Sequence, residues 1–110
     1  MKFITTFALL FTSMQCYADA QSGKVIGYVP YHKGDMKNFA LKLENNIVEG
    51  CNTTGRFYFD DSNPSYNEMV SSVMSAYHSK TTVAVHYAKT CNVWGNSYDV
   101  KYICIGAINC

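Results

Sequence analysis

The side chains that could do chemistry here are few: five cysteines, three histidines (His32, His78 and His86) and one acidic doublet, Asp60-Asp61. Three of the cysteines fall in the last twenty-two residues, KTCNVWGNSYDVKYICIGAINC. Zinc sites need paired ligands at short spacing, and the chain has neither C-x-x-C nor H-x-x-x-H, so no metal is expected. A nucleophilic serine motif, a phosphate-binding glycine loop and a paired-carboxylate constellation are also missing from the sequence. Asp60-Asp61 sits where a strand is expected to run into a helix, and acids there cap the helix or stay solvated. These observations point to a binding module rather than an enzyme, with no cofactor.

The cysteines then read as staples. MKFITTFALLFTSMQCYADA has one lysine, an apolar run from Phe3 to Phe11 and a small-x-small ending, Ala18-Asp19-Ala20, as a secretory leader does. Residues 1–20 are therefore expected to be a signal peptide cut after Ala20, with a cut after Ala18 as the second choice, and Cys16 is discarded with it. The apolar run is too short to span a bilayer. Nine basic and eight acidic residues, less Lys2 and Asp19, leave a chain near neutrality. That balance offers no footprint for nucleic acid or an anionic membrane surface. The expected location is outside the cell, by way of the periplasm, and four cysteines in a secreted domain of this size imply two disulfides. Asn52-Thr53-Thr54 matches a glycosylation sequon, which has meaning only in a eukaryotic secretory pathway.

Residues 21–110 are expected to form one domain. Lys24 to Tyr31 is the first extended run, with Pro30 marking an edge or bulge near its end. Phe39, Leu41 and Leu43 alternate with Ala40, Lys42 and Glu44, a strand with one buried face. After a polar loop from Asn45 to Gly55, Phe57 and Phe59 point inward from a third strand, Arg56 to Asp60. Tyr66, Met69, Val70, Val73, Met74 and Tyr77 then step by three and four, the stripe of an α-helix packed on the core. Asn63-Pro64 or the capping box Ser65-x-x-Glu68 would start it. Thr82 to Tyr87 and Val100 to Ile108 complete five strands, with turn chemistry at Gly95-Asn96 between them.

The order strand, strand, strand, helix, strand, strand fits a mostly β, five-stranded Greek-key barrel of the OB-fold type; a split α+β sheet is the alternative. In an OB barrel the third and fifth strands lie side by side and run the same way. Cys51 precedes the third and Cys91 leads into the fifth, so they should pair and enclose about 41 residues. Cys104 and Cys110 are left for each other. Six extended residues span about 20 Å, so the chain must turn back near Gly106-Ala107 to let them meet. Trp94, in a polar turn, either folds back on the barrel or stands out to stack on a ligand, together with Asn96.

The segment from Phe59 to Tyr87, including PSYNEMVSSVMSAYHSKTTVAVHY, resembles the binding subunits of bacterial toxins built from one A chain and a ring of five B chains. The similarity is to the subtilase-cytotoxin and pertussis-like group, and it is strongest over about 30 residues around the helix. The resemblance implies a homopentamer that holds a toxin A subunit and binds sialylated glycans on host cells. It also implies that Ser22, just before the first strand, contacts the sugar; the family's tyrosine before that serine is Gln21 here. The alternation adds Lys42, Glu44 and His86 as outward polar groups that would line a wall beside it. A monomeric secreted or periplasmic protein acting by protein contact, as inhibitor or accessory factor, is the alternative.

Overall fold

A computed structural model describes residues 19–45 and 47–110. The expected leader, Cys16 included, lies outside the described residues up to position 18. Five strands and one helix follow in order: β1 (Asp19–Lys33), β2 (Met36–Leu43), β3 (Arg56–Asp60), α1 (Tyr66–Ser79), β4 (Thr82–Ala88) and β5 (Tyr98–Ile105). Around the sheet the strands do not follow chain order. They close a barrel as β1-β2-β3-β5-β4, with β5 inserted between β3 and β4. The β3–β5 pair is parallel, through Phe57 with Tyr98 and Tyr58 with Asp99, and every other pair is antiparallel.

β1 closes the barrel because it serves two neighbours in turn. Asp19 to Lys24 pair with β4, and Val25 to Lys33 pair with β2. The strand begins five residues earlier and ends two later than the sequence reading placed it. Pro30 is tolerated because this half of β1 has a strand partner on one side only. Ile26 is skipped in the register between Val25 and Gly27, a bulge that bends the strand from one partner to the next. That extra residue also flips the side-chain parity. Gln21, Gly23 and Val25 face in before it, and Tyr28 is opposite the inward Leu41 after it. β5 uses the same device. Lys101 is skipped between Val100 and Tyr102, so Tyr98 and Val100 face in below it and Ile103 above it.

The barrel is filled by Val25, Phe39, Leu41, Leu43, Phe57, Phe59, Val83, Val85, Tyr87, Tyr98 and Val100, with Met69, Val73 and Ala76 from the helix. Each fully buried side chain of this size contributes about 1.5–3 kcal/mol. The helix buries a narrower stripe than expected: Met74 and Tyr77 remain 39% and 38% exposed at its rim. The capping box is not formed, since the Ser65 side chain makes no cap hydrogen bond. Instead Asn63 Oδ1 accepts from Ser65 N at 2.9 Å, an Asx turn that starts the helix. The helix ends at Lys80 in the left-handed conformation, donating its backbone N–H to Ala76 O.

Two disulfides staple the barrel, Cys51–Cys91 and Cys104–Cys110, with Cα separations of 6.2 and 6.6 Å. The parallel β3–β5 pairing is what brings the loops carrying Cys51 and Cys91 together. Gly106 at φ 88° turns the tail after β5, and Ile108 N donates to Gly106 O at 2.9 Å, so Cys110 returns to Cys104. Among the described residues no helix is long and apolar enough to cross a membrane.

Candidate functional site: the outer wall of β1, β2 and β3

Because β2 and β3 bury their odd-numbered residues, their even-numbered ones form the outer wall, and the register lines them up in rows. Gly27, Lys42 and Arg56 make one row, Val29, Ala40 and Tyr58 the next, and Tyr31, Asn38 and Asp60 the third. Gly27 has open space where a Cβ would stand. Gly27, Lys42 and Arg56 of the first row and Val29 and Ala40 of the second, with Tyr28, bound a depression of about 320 Å³.

Trp94 folds back onto this wall from the β4–β5 loop. Its ring stacks on Tyr58 with centroids 5.1 Å apart and planes 8° from parallel, and it meets Tyr31 edge-on at 5.4 Å. Stacking of this kind adds about 0.5–1.5 kcal/mol beyond the area it buries. Tyr58 is 6% exposed although it points out of the barrel, and Tyr31 is 49% exposed. Lys33 Nζ lies 5.5 Å from the centroid of the Trp94 ring, within range of a cation–π contact.

The loop that delivers Trp94 is held by Asp99. Its carboxylate accepts from Asn92 N at 2.9 Å and Val93 N at 2.9 Å through Oδ1, and from the Thr90 hydroxyl through Oδ2. Ser97 N donates to Trp94 O at 3.1 Å, closing the turn whose central residues are Gly95 and Asn96. Trp94 is therefore placed by a charged clamp and a tight turn.

Electrostatically the first row is unusual. Lys42 and Arg56 are direct cross-strand partners. The one ion pair among the described residues is Lys89–Glu49 at 3.6 Å, so neither cation of the row is ion-paired to a described carboxylate. Arg56 donates a long hydrogen bond of 3.5 Å to the Tyr58 hydroxyl. Like charges opposite each other on a sheet destabilise it, and an anion between them would reverse the sign.

The four residues expected at a glycan site do not converge. Lys42 is on the wall just described. Ser22 is on the first half of β1, opposite Ala84, in a separate groove of about 400 Å³. His86 is on that same far wall, opposite Ala20 and Tyr102. It points out of the barrel, as the alternation requires, yet it is only 8% exposed because the Tyr102 ring stacks on it at 4.4 Å. Glu44 follows β2, accepts from Lys24 N at 3.1 Å and borders a third groove of about 370 Å³ with Tyr77, His78 and Lys80.

Arg56, Tyr58 and Tyr31 are the wall residues that were not singled out. The alternation of Arg56-Phe57-Tyr58-Phe59 already put Arg56 and Tyr58 outside; the register that sets Arg56 against Lys42 was not visible. Asp60 and Asp61 hold backbone: Asp60 accepts from Ser62 N at 3.1 Å and Asp61 from Lys37 N at 3.3 Å. Asn52 of the sequon is 1% exposed, with its amide bonded to Ile47 O and Gly55 N at 3.0 Å each, so it anchors the loop and presents no acceptor for a sugar.

The molecule is thus defined as a class by its build: a small closed β-barrel with one helix, two disulfides and an aromatic-and-cationic outer wall. Comparison with protein-family models, with curated proteins and with solved structures returned no match.

Proposed function

We propose that this is a secreted glycan-binding module on an OB-type Greek-key barrel, and that it takes an acidic sugar of the sialic acid class on the β1–β2–β3 wall. The observation that carries the reading is the Lys42–Arg56 pair, two cations in register without an acidic partner among the described residues, beside the Tyr58–Trp94 stack. A sugar carboxylate would lie between the cations, and the apolar face of its ring against the aromatic side chains. The barrel order β1-β2-β3-β5-β4, with the helix between β3 and β4, supports the OB assignment. Two disulfides support an oxidising compartment.

Within that reading the protein is the binding subunit of a bacterial toxin, a homopentamer that carries a catalytic A subunit to host-cell glycans. The exposed helix rim, Met74 and Tyr77, supports a further surface to be covered on assembly.

Titration calorimetry of the mature protein with a sialylated oligosaccharide and its neutral counterpart tests the sugar reading. The acidic ligand is expected to bind, the neutral one not, and Lys42→Ala or Arg56→Ala to weaken binding about 10-fold or more, the worth of one charge-assisted hydrogen bond. Equal binding of both ligands, or of neither, overturns it. Light scattering tests assembly separately: a monomer at micromolar concentration removes the pentamer and favours action by protein contact.

A further inference from the structure

On the opposite wall, away from the proposed sugar site, the chain gathers three metal-ligating side chains from distant places. His86 on β4 and Cys104 on β5 are diagonal neighbours, because His86 pairs with Tyr102 and Ala84 with Cys104. The turn at Gly106 brings Cys110 back beside them. One ligand atom from each of the three, the His86 ring nitrogen and both Sγ atoms, lies within 4.8 Å of the others. His86 is 8% exposed, and its ring is oriented by the Tyr102 stack, so its position is set before any ion arrives.

We propose that reduction of the Cys104–Cys110 disulfide converts this cluster into a site for a thiophilic d¹⁰ cation, with Zn²⁺ as the type case, ligated by His86, Cys104 and Cys110. While the disulfide is intact its sulfurs are bonded to each other and cannot act as thiolates. Zinc with ligands at about 2.3 Å (S) and 2.0–2.1 Å (N) in a tetrahedron needs its donor atoms roughly 3.5–3.8 Å apart. The sulfurs must therefore move apart, and Cys110 is exposed and lies after β5, outside the sheet ladder, so its movement breaks no strand pairing.

The chemistry balances with a small thiol or phosphine reductant. A thiol reductant passes two electrons and two protons to the S–S bond, giving two protein thiols and its own disulfide; a phosphine supplies the two electrons while water supplies both protons and the oxygen of the phosphine oxide. Metal binding then releases both thiol protons to solvent and joins the cation to two thiolates and a neutral imidazole. The fourth position is left for water or an added ligand. The two bridges are alike in exposure, each with one exposed and one half-buried cysteine. Cys104–Cys110 spans 6 positions where Cys51–Cys91 spans 40, so it adds less to the folded state and is the one whose opening the fold tolerates better.

The test uses the mature protein, mildly reduced by a phosphine, with mass spectrometry after alkylation confirming two free thiols at Cys104 and Cys110. Zn²⁺ binding is followed by calorimetry, and Co²⁺ serves as an optical probe for tetrahedral thiolate ligation. The expected result is one ion per reduced chain and none per oxidised chain. His86→Ala and His86→Gln should each lower the affinity at least about 10-fold, the lower end of what losing even an outer-shell partner costs, with an unchanged far-ultraviolet circular dichroism spectrum. Cys104→Ser/Cys110→Ser should abolish binding. The proposal is overturned if the reduced protein stays folded and binds no Zn²⁺. Full affinity in the histidine variants, or persistence of binding in the double-serine variant, also overturns it.

Discussion

The Trp94 ring lies parallel to that of Tyr58, 5.1 Å away, although the two residues come from a loop and a strand 36 positions apart. The contact turns an outward tyrosine into a nearly buried one and lays the tryptophan on Tyr58, whose hydroxyl accepts from Arg56 at 3.5 Å. Trp94→Ala is therefore expected to uncover Tyr58, lower stability by about 1–2 kcal/mol and weaken acidic-sugar binding more than Lys33→Ala does. Denaturant unfolding and calorimetry on the same samples check both parts. Unchanged sugar binding in Trp94→Ala would remove the aromatic half of the site.

Asp99 is the residue on which that placement depends. Asp99→Ala leaves the backbone N–H groups of Asn92 and Val93 without their acceptor, at a cost of about 1–3 kcal/mol reduced by whatever water reaches the loop. Asp99→Asn keeps one carbonyl oxygen and should cost less. The distinguishing readout is hydrogen exchange: the amides of residues 92 and 93 should lose protection in Asp99→Ala while the Phe57 and Phe59 amides on β3 keep theirs.

The two disulfides should differ in worth. By loop-closure entropy, Cys51–Cys91 contributes about 4 kcal/mol and Cys104–Cys110 about 2 kcal/mol. Replacing each pair by serine and comparing urea midpoints is a direct check. If the short bridge proves the more stabilising, constraint of the unfolded chain is not its main contribution.

β3, β4 and the second half of β2 were legible because their alternation is strict: Phe39, Leu41 and Leu43, then Phe57 and Phe59, then Val83 and Val85 are all buried. Met36 to Asn38 at the start of β2 were not read as strand, and Glu44 falls just beyond it. β1 and β5 were misplaced at their ends because a bulge interrupts each, and a single extra residue such as Ile26 or Lys101 shifts every later side chain to the other face. The cysteine partners followed from the placement of the third and fifth strands, which the Phe57–Tyr98 pairing bears out. The candidate wall was half legible. Outwardness is a local property, so Lys42 could be named. Which outward residues meet is set by cross-strand register and by a loop folding back, and the sequence carries no periodic signal for either. That is why Ser22, Glu44 and His86 fall in other places and Arg56 and Tyr58 went unremarked.

The position of the cut proposed for the leader would have a structural consequence. Asp19 and Ala20 pair with Tyr87 and His86, two of the six β1–β4 pairs that seal the barrel. A cut after Ala20 removes both, and a cut after Ala18 keeps them. The chain beginning at Asp19 is expected to be more stable than the one beginning at Gln21 by about 1 kcal/mol, the net worth of a terminal hydrogen bond or two. Thermal unfolding of the two chains measures this, and the intact mass of the protein recovered from its host reports whether the expected leader is cut and where.

Alkaline pH should unfold the barrel through its tyrosines. Burial raises the pKa of Tyr66, Tyr87 and Tyr98 above the ordinary 10.0; nearby acids add to it, Asp61 and Asp60 for Tyr66, Asp19 and Glu49 for Tyr87, and Glu49 for Tyr98. A raised folded-state pKa means that the unfolded chain releases these protons first. The stabilisation is whole below pH 10 and is lost as pH rises through the folded values. Stability should accordingly be insensitive to these groups near neutrality and fall steeply above pH 10. Tyrosinate absorbance followed against pH should show Tyr66, Tyr87 and Tyr98 ionising together with loss of the near-ultraviolet circular dichroism signal. Tyr87→Phe and Tyr98→Phe remove a titrating group each and should extend the folded range upward. A variant unfolding at the same pH as the parent would place the alkaline transition elsewhere in the chain.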